Sequence, residues 1–323
     1  VSADYPNISA SADKPIIRPS ISALLSRDFS PCGTESAKIK LPVGIADQDG
    51  RIINEARLAP LDGQAEILID NVGRNAGFIA WVTTLLNRTV RLEGNFTNGI
   101  AAERFSVADR DLMVCALRIL TFGPELWGIV QCPHQDCESR LDLIFDLTTV
   151  KVPDGNKSRE KHRATIERGS QKIDLYYREP NGSDQEALLR LLHNDPGKAR
   201  YALISRCLIE AKGLPGTTAK TLAGLPEDIV HDIDKALSEG ITSFDWDLDI
   251  TCSECNRTFT STLDIQAYFW EELQLTKDDF WKEVHWLAFY YHWSESEILA
   301  LTRWRRKMYL NHIRRHLETA NNA

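Results

Sequence analysis

Apolar residues along this chain recur with two different periods, and the change from one to the other marks its elements. Leu41-Pro-Val-Gly-Ile and Arg51-Ile-Ile-Asn flank Asp47-Gln-Asp-Gly50, and an Asp-Gly pair between apolar runs predicts a β-hairpin. Residues 62–70 and 76–92 read as helices, the second with a stripe of Ala80, Trp81, Leu85 and Leu86 closed by Leu92. Ser106 with Asp109 three residues on predicts the next helix start, a capping-box spacing. That helix carries Leu112, Met113, Leu117 and Leu120 and ends at Phe122-Gly-Pro124. A strand at Leu141–Leu147 follows. A hairpin is predicted around Gly169, where Ile173, Leu175 and Tyr177 alternate with polar residues. Three helices come next: Ser183 to His193 with Ser183 and Glu186 as its cap, Ala199 to Ala211, and Pro226 to Ser238. Phe244 to Ile250 alternates strictly, and Thr258 to Ile265 reads as its partner strand. From about Phe269 the pattern is helical throughout. Trp281, His285, Trp286, Phe289 and Tyr290 form an aromatic face, and Ser294 with Glu297 makes a capping box. Thr302 is the expected cap of a last helix from Arg303 to about Leu317. Arg305, Arg306, Lys307, Arg314 and Arg315 give that helix a basic face, expected to be solvated.

Composition narrows the class. Of 323 residues, 43% are hydrophobic and 26% charged, ordinary for a globular protein. The net charge of −8 argues against a general nucleic-acid binder, whose footprint is a basic surface. No apolar run is long enough to span a bilayer. The first residues lack the basic and apolar regions of a secretory signal, so a cytoplasmic origin is expected. Residues 1–40, punctuated by Pro6, Pro15, Pro19 and Pro31, read as an extended arm without a core.

Seven cysteines are an odd number, and their spacing suits metal binding better than a disulfide framework. Cys115 and Cys207 lie on apolar helix faces and are expected in the core. Cys32 reads as a surface thiol. The other four form two knuckles, Cys132-Pro-His-Gln-Asp-Cys137 and Cys252-Ser-Glu-Cys255. Each follows a tryptophan and an apolar run, and each leads into a strand ending in apolar-Asp-apolar. Strand–knuckle–strand units of this kind are the halves of a zinc ribbon. Cys132, Cys137, Cys252 and Cys255 are therefore the expected ligands of one structural zinc, a closed site without an open position for chemistry. His134 is the alternative to one of the cysteines, and four free thiols are the plain alternative to a metal. The Asp245, Asp247 and Asp249 row reads as a solvated strand face, because strand-spaced carboxylates diverge. No G-x-S-x-G, H-E-x-x-H or G-x-G-x-x-G grouping occurs, so an enzyme is not expected. The fold class is α+β: a split four-cysteine zinc ribbon with an inserted β-hairpin and helices, plus a helical C-terminal tail. The expected division is an arm at 1–40, a core at 41–275 and a tail at 276–323.

Several stretches carry a family resemblance: Leu120-Thr-Phe-Gly-Pro124, the two knuckles, Ile173-Asp-Leu-Tyr-Tyr-Arg178, Phe269-Trp270, and above all His292-Trp-Ser-Glu-Ser-Glu-Ile-Leu-Ala-Leu301. Over roughly residues 41–317 the chain resembles the baseplate proteins of T-even-like phages and phage-tail-like contractile injection systems. The resemblance implies a non-enzymatic structural part of a baseplate or hub, with the four cysteines as zinc ligands. It implies other baseplate, hub or tube-initiator proteins as partners, oligomerisation through assembly, and residence in the cytoplasm and then in the tail. An assembly chaperone absent from the finished particle is the alternative. A zinc-ribbon nucleic-acid adaptor is the third reading, motivated by the basic last helix.

Overall fold

The computed structural model describes residues 36–94, 101–153, 161–169, 171–214, 222, 225–275 and 277–321. Residues 1–35, which hold most of the expected arm and Cys32, lie outside the described residues, as do residues 215–221. The first sheet has the order β1 (Ala37–Ala46), β2 (Ile52–Leu58), β3 (Val90–Leu92), all antiparallel. The hairpin predicted at Asp47–Gly50 is present. The boundary expected at residue 40 falls inside β1.

Helix α1 (Gly63–Ala76) is capped by Asp62 and outruns its expected end. Gly77, at φ 89°, breaks the chain before α2 (Phe78–Thr89). The helix expected over 76–92 therefore stops at Thr89. Its last residues are drawn off as β3, because Leu58 and Ala56 offer an open strand edge for Val90 and Leu92 to pair with.

The centre of the molecule is α3 (Val107–Phe122). Twelve of its residues are buried, on every side, the pattern of a helix enclosed by its neighbours rather than lying on a surface. Ser106 caps it as predicted, accepting the Asp109 N–H at 3.0 Å. The Asp109 carboxylate does not complete a reciprocal box. It accepts the N–H groups of Val43 and Gly44, each at 3.0 Å, under the irregularity in β1. Gly44 is held there at φ 77°, with no room for a Cβ, which would meet Ile53 O at 2.7 Å. Burial pushes Asp109 up to about 7, against the pull of those donors. A carboxyl raised on folding adds stability that is complete below its unfolded value near 4 and is lost as pH rises through about 7. The stability difference between wild type and Asp109→Asn, measured by urea unfolding, should therefore shrink from pH 4 to pH 8. A constant difference would contradict this environment.

Between the two knuckles the chain builds a cluster of its own. Strands β6 (His162–Arg168), β7 (Gln171–Tyr177) and β8 (Leu208–Lys212) form one sheet, with α4 (Gly182–Asn194), α5 (Pro196–Cys207) and α6 (Glu227–Gly240). Ile173, Leu175, Cys207, Ile233 and Leu237 fill its core. Two expectations are corrected here. The helix expected over 199–211 ends at Cys207, and its last residues pair with β7 as β8. The cap of α4 is Asn181 with Asp184, not Ser183 with Glu186. Asp184 is chosen because its carboxylate also receives Arg178 and Arg206. Burial raises this carboxyl, but those two guanidiniums and the Asn181 N–H outweigh it and hold it below the usual range. The neck of the insertion is tied at Glu179. His162 Nε2 lies 3.1 Å from its Oε1, and the N–H and hydroxyl of Thr242 donate to it at 3.0 and 2.8 Å.

The C-terminal helices are α7 (Ile265–Leu275), α8 (Lys277–Tyr291), α9 (Glu295–Leu299) and α10 (Arg303–Asn321). The Ser294–Glu297 box is present. Phe280, Val284, Leu287, Ile298 and Ile313 form another cluster, joined to α1 through Ile67. The basic face expected on the last helix is exposed at Arg305, Lys307, Arg314 and Arg315 and is corrected at Arg306. Arg303 and Arg306 are buried because α1 and α8 present carboxylates to them. Arg303 lies 3.0 Å and Arg306 2.5 Å from Glu66, Arg306 lies 3.1 Å from Glu283, and Lys307 reaches Glu283 at 2.7 Å. Thr302 does not cap through its side chain: its hydroxyl is buried with no partner. No helix among the described residues is long and apolar enough to cross a membrane.

Candidate metal centre

Two short hairpins carry the knuckles. Strands β4 (Glu125–Gln131) and β5 (Arg140–Asp146) flank the first, and β9 (Asp247–Thr251) and β10 (Thr258–Thr262) the second. They pack face to face through Leu141, Leu143, Leu248 and Ile250, the inward half of each alternating pattern. The strand expected from Phe244 starts at Asp247. Phe244 and Trp246 instead stack on each other and join the main core. On the outward face Asp249 and Asp247 accept the hydroxyls of Thr260 and Thr262 across the strands, and Asp245 accepts the Asp247 N–H.

Helices α3 and α7 fix where the hairpins sit. Asp111 accepts Gln266 Nε2 at 2.5 Å and the Trp246 indole at 3.4 Å, beside the second hairpin. The Tyr268 hydroxyl donates to Trp127 O at 2.7 Å, on the first. The buried Arg118 guanidinium grips Glu272 with two bonds of 2.9 and 2.8 Å, the bidentate geometry that fixes both partners. One central helix and one latch helix thus hold both halves of the site.

The four sulfurs converge. Cys132 Sγ lies 3.8 Å from Cys255 Sγ, and Cys137 Sγ 3.7 Å from Cys252 Sγ, with all four within 4.8 Å of one another. A disulfide needs about 2.05 Å. Four sulfurs each about 2.3 Å from a tetrahedral zinc stand about 3.8 Å apart, the spacing of the Cys132–Cys255 and Cys137–Cys252 pairs. Each knuckle reverses in the same way: Cys132 N–H donates to Ser139 O and Cys252 N–H to Arg257 O. The residue after the second cysteine is left-handed in both, Glu138 at φ 48° and Asn256 at φ 56°. The two extra residues of the first knuckle lie before its turn. His134 O receives Cys137 N–H and Glu138 N–H, where Cys252 O receives Asn256 N–H. The four sulfurs gather without His134, whose Nε2 is buried with no hydrogen-bond partner.

Donors already point at the sulfurs. The Ser139 hydroxyl and the Cys255 and Glu254 N–H groups bring Cys252 down to about 6. Arg257, through its N–H and its guanidinium, lowers Cys255 and also pairs with Asp136 across the knuckles. Burial pushes Cys132 up to about 12. Such a set releases protons when a divalent cation takes their place. Cys115 and Cys207 are buried in the core as expected, and burial raises both thiols.

A family model described as T4 bacteriophage base plate protein matches residues 73–270, more than half of the 323-residue chain. The chain belongs to this family. The matched span contains both knuckles, the insertion between them and the central helix. It stops before α8, so the His292–Leu301 stretch that carries most of the sequence resemblance lies beyond it. No curated protein and no solved structure matches the chain. Sequence reasoning found the four cysteines but not Ser139 or Arg257, which contact the sulfurs. Their one signal is position, each standing two residues after the second cysteine of its knuckle.

Proposed function

We propose that the chain is a structural, non-catalytic component of a contractile-tail baseplate, stabilised by one zinc in a split ribbon. Cys132, Cys137, Cys252 and Cys255 are its ligands. Family membership carries the baseplate reading, and the convergence of the four sulfurs within 4.8 Å of one another supports the zinc. Four thiolates leave no coordination position open, so the ion holds the fold and performs no chemistry. The division into an arm at 1–40, a core at 41–275 and a tail at 276–323 belongs to this proposal.

Surfaces for neighbours are available on both sides of the clamp. On α8, Trp281, Trp286 and Phe289 are 49%, 45% and 61% exposed; the Trp286 and Phe289 rings contact each other, His285 and Tyr290, and Trp281 meets Phe280. On β4, Trp127 and Ile129 are 56% and 69% exposed. Contiguous apolar surface of this kind marks interaction sites, and baseplate, hub or tube-initiator proteins are the partners proposed for it. The burial of Arg303 and Arg306 removes two cations from the helix that motivated a nucleic-acid adaptor.

Quantitative mass spectrometry of purified particles tests the reading. The chain is expected in a fixed ratio to other baseplate proteins. Presence in the producing cell with absence from the particle makes it an assembly chaperone instead.

A further inference from the structure

A cleft of about 420 Å³ lies between the first sheet and the neck of the insertion. Each side contributes an edge strand: β1 ends the sheet β1-β2-β3, and β8 ends the sheet β6-β7-β8. Each of these strands is irregular where it borders the cleft. The pairing of β1 with β2 shifts between Lys40 and Ile45, and Gly44 and Ile45 line the cleft. The pairing of β8 with β7 shifts between Tyr176 and Tyr177, whose partners are Glu210 and Leu208, so Ile209 is the extra residue of a bulge. Its side chain, 37% exposed, lines the cleft together with Ile45 and Ile52 of the first sheet.

Cations outnumber carboxylates among the described residues of this cleft, although the chain as a whole carries a net charge of −8. Arg104, Lys161 and Arg178 stand against Glu179. Two of these four are already committed. Arg178 holds Asp184 with bonds of 2.6 and 2.9 Å, and Glu179 receives the N–H and hydroxyl of Thr242. The other two can meet an anion. Arg104 is exposed and donates one bond of 3.3 Å to the neutral Ala46 carbonyl, which leaves most of its five-donor fork open. The Lys161 ammonium is exposed as well and has no partner among the described residues.

These features specify an occupant. Two cations without a carboxylate select an acidic side chain. Two edge strands and three isoleucines suit an extended segment with apolar residues beside the acid. No stretch of this chain outside the described residues carries an acidic run. Residues 154–160 set Lys157 and Arg159 against Asp154 and Glu160, and the acids of residues 1–35 stand singly at Asp4, Asp13, Asp28 and Glu35.

We propose that this cleft receives an extended acidic segment of a neighbouring baseplate protein. One Asp or Glu carboxylate of the segment is held by Arg104 and Lys161, and the apolar residues beside it cover Ile45, Ile52 and Ile209. This deepens the baseplate reading above and rests on it for the source of the segment.

The first test uses the purified full-length chain and needs no partner. The methyl resonances of Ile45, Ile52 and Ile209, each assigned by its loss on change to valine, are followed while acetyl-Val-Glu-Val-amide or its glutamine counterpart is added. Saturable shifts with the glutamate peptide are expected. Affinity should be about tenfold weaker for the glutamine peptide, and for Arg104→Gln and Lys161→Gln, the loss of one charge-assisted contact. Both side chains are exposed, so neither change disturbs the core. No saturable shift, an equal response to the glutamine peptide, or unchanged affinity in either variant overturns the assignment of the cleft. The second arm places a photo-crosslinking phenylalanine at position 209 in assembled particles. A crosslink to an Asp- or Glu-bearing segment of another baseplate protein is expected. A crosslink to a second copy or to residues 1–35 or 154–160 of the same chain, or none at all, overturns the assignment of the partner. If the chain is absent from particles, the baseplate reading fails while the titration still decides the cleft.

Discussion

Changing Cys252 to serine is expected to release the metal and to lower the stability of the folded chain by roughly 5 kcal/mol. The reasoning starts from the separation of the knuckles: Cys137 and Cys252 stand 115 positions apart in the chain. A cross-link over a loop of that length removes about that much chain freedom from the unfolded state. Little else replaces the clamp locally. Among the described residues the apolar cluster between the two hairpins has six buried members, two of them proposed ligands, and a two-stranded hairpin is marginal alone. The main core, centred on α3, does not depend on those side chains. The variant should therefore keep most of its helical signal while its unfolding midpoint in urea falls. Ser139→Ala should have a much smaller effect, because Ser139 donates to sulfur without binding the metal. Wild-type stability in Cys252→Ser, with the metal retained, would show that this thiol is no ligand.

Removing the Glu66 carboxylate should be nearly as damaging. Arg306 is fully buried, Arg303 almost so, and both depend on Glu66. Glu66→Ala leaves two guanidiniums competing for Glu283 and backbone carbonyls in a site closed to water. Breaking a buried pair from one side costs about 3–5 kcal/mol. Arg306→Met should cost less. Glu66 then keeps Arg303, Glu283 keeps Lys307, and a thioether can fill the space over Phe280. The double variant should be more stable than the sum of the two single losses predicts, since the second change removes a charge the first left stranded. Denaturation midpoints of the four proteins measure this. Strict additivity would mean that Glu66 and Arg306 are not coupled.

The two sites differed in how far they could be read from the sequence. The knuckles were legible because metal binding imposes residue type, spacing and flanking strands at once, and all three are local. The central helix was legible in outline from Ser106 and its apolar face, but not its burial on every side. Asp109, Arg110 and Arg118 look like surface residues until Val43, Ala102 and Glu272 are brought to them. The same holds for Arg303 and Arg306. Their partner Glu66 lies 237 and 240 positions away, and nothing in the last helix says which of its cations faces inward. Helix ends failed where the next residues found a strand to join. Val90 and Leu208 both left helical patterns because Leu58 and Tyr177 offered them an edge. The cap of α4 failed for a related reason, since Asn181 and Asp184 are chosen by Arg178 and Arg206 as much as by the helix. In each case the deciding contact is long-range, and local propensity yields to it.

The claim on which the account rests is that both knuckles meet at one zinc. X-ray absorption at the zinc edge, on protein purified without added chelator, tests it most directly. The account predicts one zinc per chain with four sulfur neighbours at about 2.3 Å and no nitrogen. Three sulfurs and one nitrogen would give His134 the place of a cysteine, and a chain that holds no zinc would contradict the clamp altogether.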